Sequence, residues 1–146
     1  MTLATGLGSA TELVVLDHIL GVEAWTMPTF AYMALSLIEN PTGETWEELP
    51  DAFGYSRQAI TFSHAVLDDV LGHGISRSNI PVVFGPAAGG TWGTVASFSI
   101  YDSAVIGEGL QLCYGKIDYP VLIKSGGGLE FRQGGVSVQL VTVTEG

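Results

Sequence analysis

The sequence predicts an all-β fold, an antiparallel β-sandwich or jelly roll with one short N-terminal helix, and three observations predict it. Apolar residues keep a helical spacing only once, near the start; from Phe30 onward they alternate with period two. Gly and Pro punctuate the alternating runs, and no helical crossover separates them. Strands joined by turns alone pair antiparallel in a sandwich or jelly roll, not in a parallel α/β sheet.

The helix is expected over residues 11–20. Ser9-Ala10-Thr11-Glu12 has the form of a capping box, with the serine hydroxyl accepting from one free amide and the glutamate from another. Leu13, Leu16 and Leu20, with the adjacent Ile19, follow at helical spacing. Gly21 can take the left-handed conformation past the end. The leucine stripe should pack on an edge or end of the sandwich.

Strands begin with Phe30, Tyr32 and Ala34 alternating against Ala31, Met33 and Leu35, and continue with Ser56, Gln58, Ile60 and Phe62 against Tyr55, Arg57, Ala59 and Thr61. Similar runs cover residues 80–84, 93–101, 110–117, 121–124, 129–132 and 136–143, about eight strands in all. Gly85-Pro86, Gly89-Gly90, Gly107, Tyr119-Pro120, Gly126-Gly127-Gly128 and Gly134-Gly135 mark the turns. Of these, Gly134-Gly135 is the best signal for a tight hairpin, because two glycines accept the positive φ of a primed turn. Residues 39–54 and 63–78 are long connections, the second expected to hold a short helix over 65–71. Loops of this length are usually functional or held by a partner.

A chain of 146 residues fits one domain, 1–146, and its 47% hydrophobic and 14% charged content is too apolar for a disordered segment. Fifteen acids against five bases give a net charge of -10, which offers no basic footprint for nucleic acid. The N-terminus lacks the positive region of a signal peptide, and the apolar stretch from Leu13 to Leu20 is broken by Asp17. With no run of bilayer-spanning length, the expectation is a soluble product of a reducing cytoplasm, with no membrane partner. Cys113, the single cysteine, falls in an apolar alternating run and should be a buried thiol.

No catalytic site, cofactor or metal is expected. The stretch from Gly85 to Thr91 lacks the lysine of a phosphate-binding loop and leads into a strand. Asp68, Asp69 and His73 match neither a calcium loop nor a zinc motif. Glu44, Glu47 and Glu48 could supply a carboxylate pair for glycosidic cleavage, but acids so dense on one loop usually face water. His18 suits a structural role near the helix C-terminus, as a charged imidazole favoured by the dipole. Trp92, after a double glycine, reads as a core anchor. Trp46 sits in an acidic loop with few apolar neighbours, so it is either tucked over the core or pressed into another subunit. Arg57 should form an ion pair that fixes a loop or an interface. The candidate interface residues are therefore Trp46, Glu47, Glu48 and Arg57.

Several short signals occur in one order: Trp25-Thr26-Met27-Pro28-Thr29; Gly54-Tyr55-Ser56-Arg57-Gln58-Ala59-Ile60-Thr61-Phe62; Ser78-Asn79-Ile80; Phe84-Gly85-Pro86-Ala87-Ala88; Trp92-Gly93-Thr94-Val95; and Phe98-Ser99-Ile100-Tyr101-Asp102. Over about residues 20–140 the chain resembles a family of small tailed-bacteriophage virion proteins commonly labelled phage tail-fibre proteins. It departs at Ser125-Gly126-Gly127-Gly128, where the pattern calls for an acidic residue before the last hairpin. The resemblance implies a non-enzymatic structural protein of the virion. A one-domain chain without heptads or fibre repeats favours a capsid decoration or cement protein stabilising the outer shell. The alternative is a tail fibre or tail-appendage component involved in host receptor binding. Its expected partners are copies of itself in a homo-oligomer and the major capsid protein or a neighbouring virion protein.

Overall fold

Ten strands and one helix follow the chain in a computed structural model that describes residues 2–70 and 72–140. The order is β1 (Thr2–Leu7), α1 (Ser9–Ile19), β2 (Ala31–Ser36), β3 (Gln58–Ile60), β4 (Val66–Leu67), β5 (Gly74–Arg77), β6 (Val82–Phe84), β7 (Gly93–Tyr101), β8 (Gln111–Ile123), β9 (Leu129–Phe131) and β10 (Val136–Leu140). The all-β class with one N-terminal helix is borne out.

Eight strands form one sheet in the order β3-β2-β7-β8-β1-β10-β5-β4, while β6 and β9 form a separate ribbon. All paired neighbours are antiparallel except β1 and β10, which run parallel through Thr2↔Val136 to Ala4↔Val138. The sheet curls until its far parts meet. Just past β3, Phe62 bridges Ser78; the Ser63 amide donates to the Arg77 carbonyl at 2.9 Å and the Asn79 amide to the Thr61 carbonyl at 3.0 Å. The curl encloses Met33 and Leu35 of β2, Ile60 of β3, Val95, Phe98 and Ile100 of β7, Cys113, Ile117 and Ile123 of β8 and Val136 of β10. The ribbon adds Val82, Phe84 and Phe131 to the same core, with the two phenylalanine rings edge to face at 6.2 Å.

The central strand β7 is buried on both faces from Val95 to Ile100. Phe98 and Ile100 point into the curl. On the opposite face Ser97 and Ser99 pair with Ser36 and Ala34 of β2, and these four small residues form a flat platform without solvent contact. Something must cover them, and the loop over residues 39–54 does.

Several sequence expectations are corrected. Gly8, not Ser9, caps α1, and no side chain caps it. The backbone leaves β1 there against the Gln111 carbonyl, 2.2 Å from where a Cβ at Gly8 would lie. The leucine stripe does not pack: Leu13, Leu16 and Leu20 are 66%, 55% and 71% exposed. Thr11 is the buried residue, its hydroxyl bonded to the Gln111 carbonyl, and the leucines lie about 180° round the helix from it at 3.6 residues per turn. Gly21 does adopt a positive φ of 74°.

Gly134-Gly135 makes a turn, with the Gly135 amide bonded to the Arg132 carbonyl at 2.8 Å, but not a hairpin. The strands on either side belong to different sheets, β9 to the ribbon and β10 to the curl. Instead of a helix over 65–71, β4 and β5 pair through Val66↔Ile75 and Leu67↔Gly74. Tyr119-Pro120 does not end a strand either, because β8 runs through it. Val95 pairs with Val121 and Ser97 with Lys116, so the proline sits in a bulge that asks for no ladder hydrogen bond. Residues 141–143 of the last expected strand lie outside the described residues.

β1 went unread in the sequence because it alternates weakly and carries Gly6. That glycine makes room for the Tyr114 ring, whose hydroxyl oxygen lies 2.5 Å from where a Cβ would be.

Cys113 is buried as expected, and burial pushes its thiol up from the ordinary 9.0 to about 12. A folded-state pKa raised in this way contributes stability that is intact below the unfolded value and is lost as pH rises through the folded one. Urea titrations should therefore show wild-type stability falling between pH 9 and about 12 more steeply than that of Cys113→Ala; parallel curves would contradict this.

Candidate functional site

Arg57 immediately precedes β3, and its side chain is fully buried, so its N–H groups must find acceptors inside the protein. They do. Nε donates to both Glu48 oxygens at 3.2 and 3.0 Å, and Nη2 to Oε1 at 2.7 Å, the bidentate fork that guanidinium and carboxylate geometry favours. Nη1 donates to the Ser103 and Glu108 carbonyls, each at 2.8 Å. The guanidinium carbon also stacks 3.9 Å from the centroid of the Tyr101 ring. One side chain thus ties the 39–54 loop, through Glu48, to the loop between β7 and β8.

Tyr55 extends the network into the core. Its hydroxyl donates to Glu48 Oε2 at 2.7 Å and accepts from the Leu35 amide at 3.0 Å, while the Leu49 amide donates to the Leu35 carbonyl. Those contacts occupy the β2 backbone beyond Met33, where β3 no longer pairs with it. The Tyr55 ring stacks on Phe84 and meets Trp92 edge to face. Burial, reinforced by the hydrogen bond to Glu48, raises its phenol above the ordinary range; burial also raises Tyr101, with the Glu48 charge adding to it. Trp92 anchors the core as expected, with Nε1 donating to the Phe53 carbonyl at 2.8 Å.

Trp46 lies over the small-residue platform. Its Nε1 donates to Ser97 Oγ at 3.1 Å and its ring meets Tyr101 at a centroid distance of 5.9 Å. Only small residues at Ser36, Ser97 and Ser99 leave space there for an indole. Trp46, Glu48 and Arg57 are therefore one cluster around Tyr101, with Glu47 exposed beside it. The sequence reading missed Tyr55, Tyr101 and the carbonyls of Ser103 and Glu108. The tyrosines look like ordinary strand residues, and backbone acceptors leave no trace in a sequence.

Beside the cluster opens a groove of about 580 Å³. The 39–54 loop forms one wall through Gly43 and Trp46–Pro50, the β7–β8 loop the other through Ile106, Gly107, Gly109 and Leu110, with Tyr101 and Gln111 between them and the start of α1 at one end. Gln111 Nε2 donates to Ser99 Oγ at 2.7 Å, fixing that side chain to the platform.

The other candidates separate from this site. Asp68 shapes the β4–β5 turn, accepting the Val70 amide at 2.8 Å. His73 Nδ1 is buried without a hydrogen-bond partner. Among the described residues no group of three His, Cys, Asp or Glu could hold a metal. His18 lies in the last turn of α1, where its Nδ1 accepts the Trp25 amide at 3.0 Å. Among the described residues no helix is long and apolar enough to cross a membrane.

The polar cluster of this curled β domain uses its hydrogen bonds to brace two loops, the character of a structural module. Residues 6–139 match the family described as Podophage GP4 fiber I protein gp80, and the chain belongs to that family. This is a family of phage structural fibre proteins, not an enzyme family. No curated protein and no solved structure matches the chain.

Breaking the clamp has a defined cost. Removing one partner of a buried ion pair strands the other charge, so Arg57→Met should destabilise the domain by about 3–5 kcal/mol in urea denaturation. A loss below about 1 kcal/mol, typical of exposed pairs, would show that the cluster does not brace the fold.

Proposed function

We propose that the protein is a tail-fibre component of a phage virion, assembled as a homo-oligomer. The observation that carries this reading is the family match, which spans nearly the whole described domain. A fibre assignment is supported better than the capsid cement role expected from a single domain without fibre repeats, since a family of fibre proteins points to the tail.

An exposed apolar face supports the oligomer. Leu13, Leu16, Ile19 and Leu20 of α1 and the turn after it are each more than half exposed, as are Met27 and Phe30 before β2. The α1 residues fall on one side of the helix at 3.6 residues per turn, and an exposed apolar face of this kind marks a protein contact. Trp46, the anchor expected from sequence, is engaged with Ser97 and Tyr101 of its own domain, so the α1 face is the better candidate for contact with a second copy.

One experiment tests both points. Immunogold on virions should mark the tail, and virions complemented with the Leu13→Glu/Leu16→Glu double variant should lose the label while the purified variant stays folded. Label spread over the capsid would return the cement reading, and a variant incorporated normally would remove α1 from the contact.

A further inference from the structure

We propose that the groove beside Trp46 is a binding site for a neutral saccharide. The inference deepens the fibre reading and rests on it for its biological setting, since a fibre meets the host surface; the binding itself can be tested without it.

The groove is built rather than incidental. Its two walls belong to loops far apart in sequence, and Arg57 bonds to both, to the Glu48 carboxylate on one and the Ser103 and Glu108 carbonyls on the other. Their separation is therefore fixed before any ligand arrives, which lowers the ordering cost of binding. Trp46 is held by its Nε1 bond to Ser97, and Gln111 by its bond to Ser99. At about 580 Å³ the groove falls within the range of small-molecule sites, roughly 300–1,000 Å³.

The lining selects the ligand class. Among the described residues no Lys, Arg or His lines the groove, whereas Glu47 and Glu48 do, so anionic ligands are repelled. A cationic peptide would need carboxylates to spare. Glu48 has none, because Arg57 and Tyr55 already take both of its oxygens, and Glu47 is left as a single exposed acid. What remains is aromatic and aliphatic surface from Trp46, Tyr101, Leu49 and Ile106, with hydrogen-bonding groups on Ser9, Gln111 and Glu47. Apolar area beside a few fixed polar groups matches a sugar ring, which has an apolar face and a rim of hydroxyls.

The test is titration of the purified protein, by protein-observed NMR and tryptophan fluorescence, with a fixed panel: disaccharides of glucose, galactose and N-acetylglucosamine, inorganic phosphate, and tetralysine. At least one neutral disaccharide should saturate, with shifts confined to residues 43–50 and 101–111, while phosphate and tetralysine give none. Glu47→Ala, an exposed position outside the clamp, should weaken that binding roughly 10-fold, and Trp46→Phe should also weaken it. Wild-type protein that shifts with no disaccharide, that binds tetralysine instead, or whose sugar binding is untouched by both variants overturns the proposal. Gold label on the tail alongside a silent titration would leave the fibre reading standing and remove only the sugar site; sugar binding with label on the capsid would do the reverse.

Discussion

A guanidinium sealed from water must be met on nearly every edge, and at Arg57 that requirement organises the region around it. Glu48 takes two edges and two carbonyls of the β7–β8 loop take a third, while the Tyr101 ring covers the plane. Glu48 in turn accepts the Tyr55 hydroxyl, whose ring is part of the core. Each group is satisfied only while the others hold their places. Buried polar networks of this kind, fully satisfied, specify one arrangement of the chain. Here the specified arrangement is of two loops that have no regular structure to fix them.

The curl supplies the site for this network. Pairing between strands distant in sequence, including the parallel β1 and β10, brings the sheet round until residues 61–63 reach residues 77–79. That contact covers part of the backbone beyond β3 that would otherwise be open to other chains, while β4 remains at the edge of the sheet. The apolar side of β7 then faces a filled interior. Its other side, made of small residues, becomes a floor for Trp46 and Gln111. Core and groove are the two faces of the same strand.

Much of this was legible before the structure. Period-two alternation located β2, β3 and β6 to β10 because half-buried strands leave that trace. Trp46 and Arg57 were singled out because a large aromatic in a polar loop and a scarce base each call for a partner, whereas Glu48 was named only alongside Glu47 as one acid of a dense loop. The rest was hidden for physical reasons. The α1 leucines have helical spacing, but spacing cannot say which side of a helix meets its own domain. Gly134-Gly135 permits a tight turn without deciding whether the flanking strands pair. β1 alternates weakly and carries Gly6, and its place between β8 and β10 is set by long-range contacts. Tyr55 and Tyr101 were read as strand residues, since nothing local shows that one hydroxyl and one ring serve a distant ion pair.

The claim that one buried side chain holds both walls of the groove is tested most directly by amide hydrogen exchange on wild-type protein and Arg57→Met. The clamp predicts that residues 44–49 and 103–110 lose protection together in the variant, and that both exchange by local opening well ahead of the core strands β7 and β8, whose protection falls only with the overall stability. If only one of the two loops loosened, or neither did, the two walls would be independent and Arg57 would not be the tie between them.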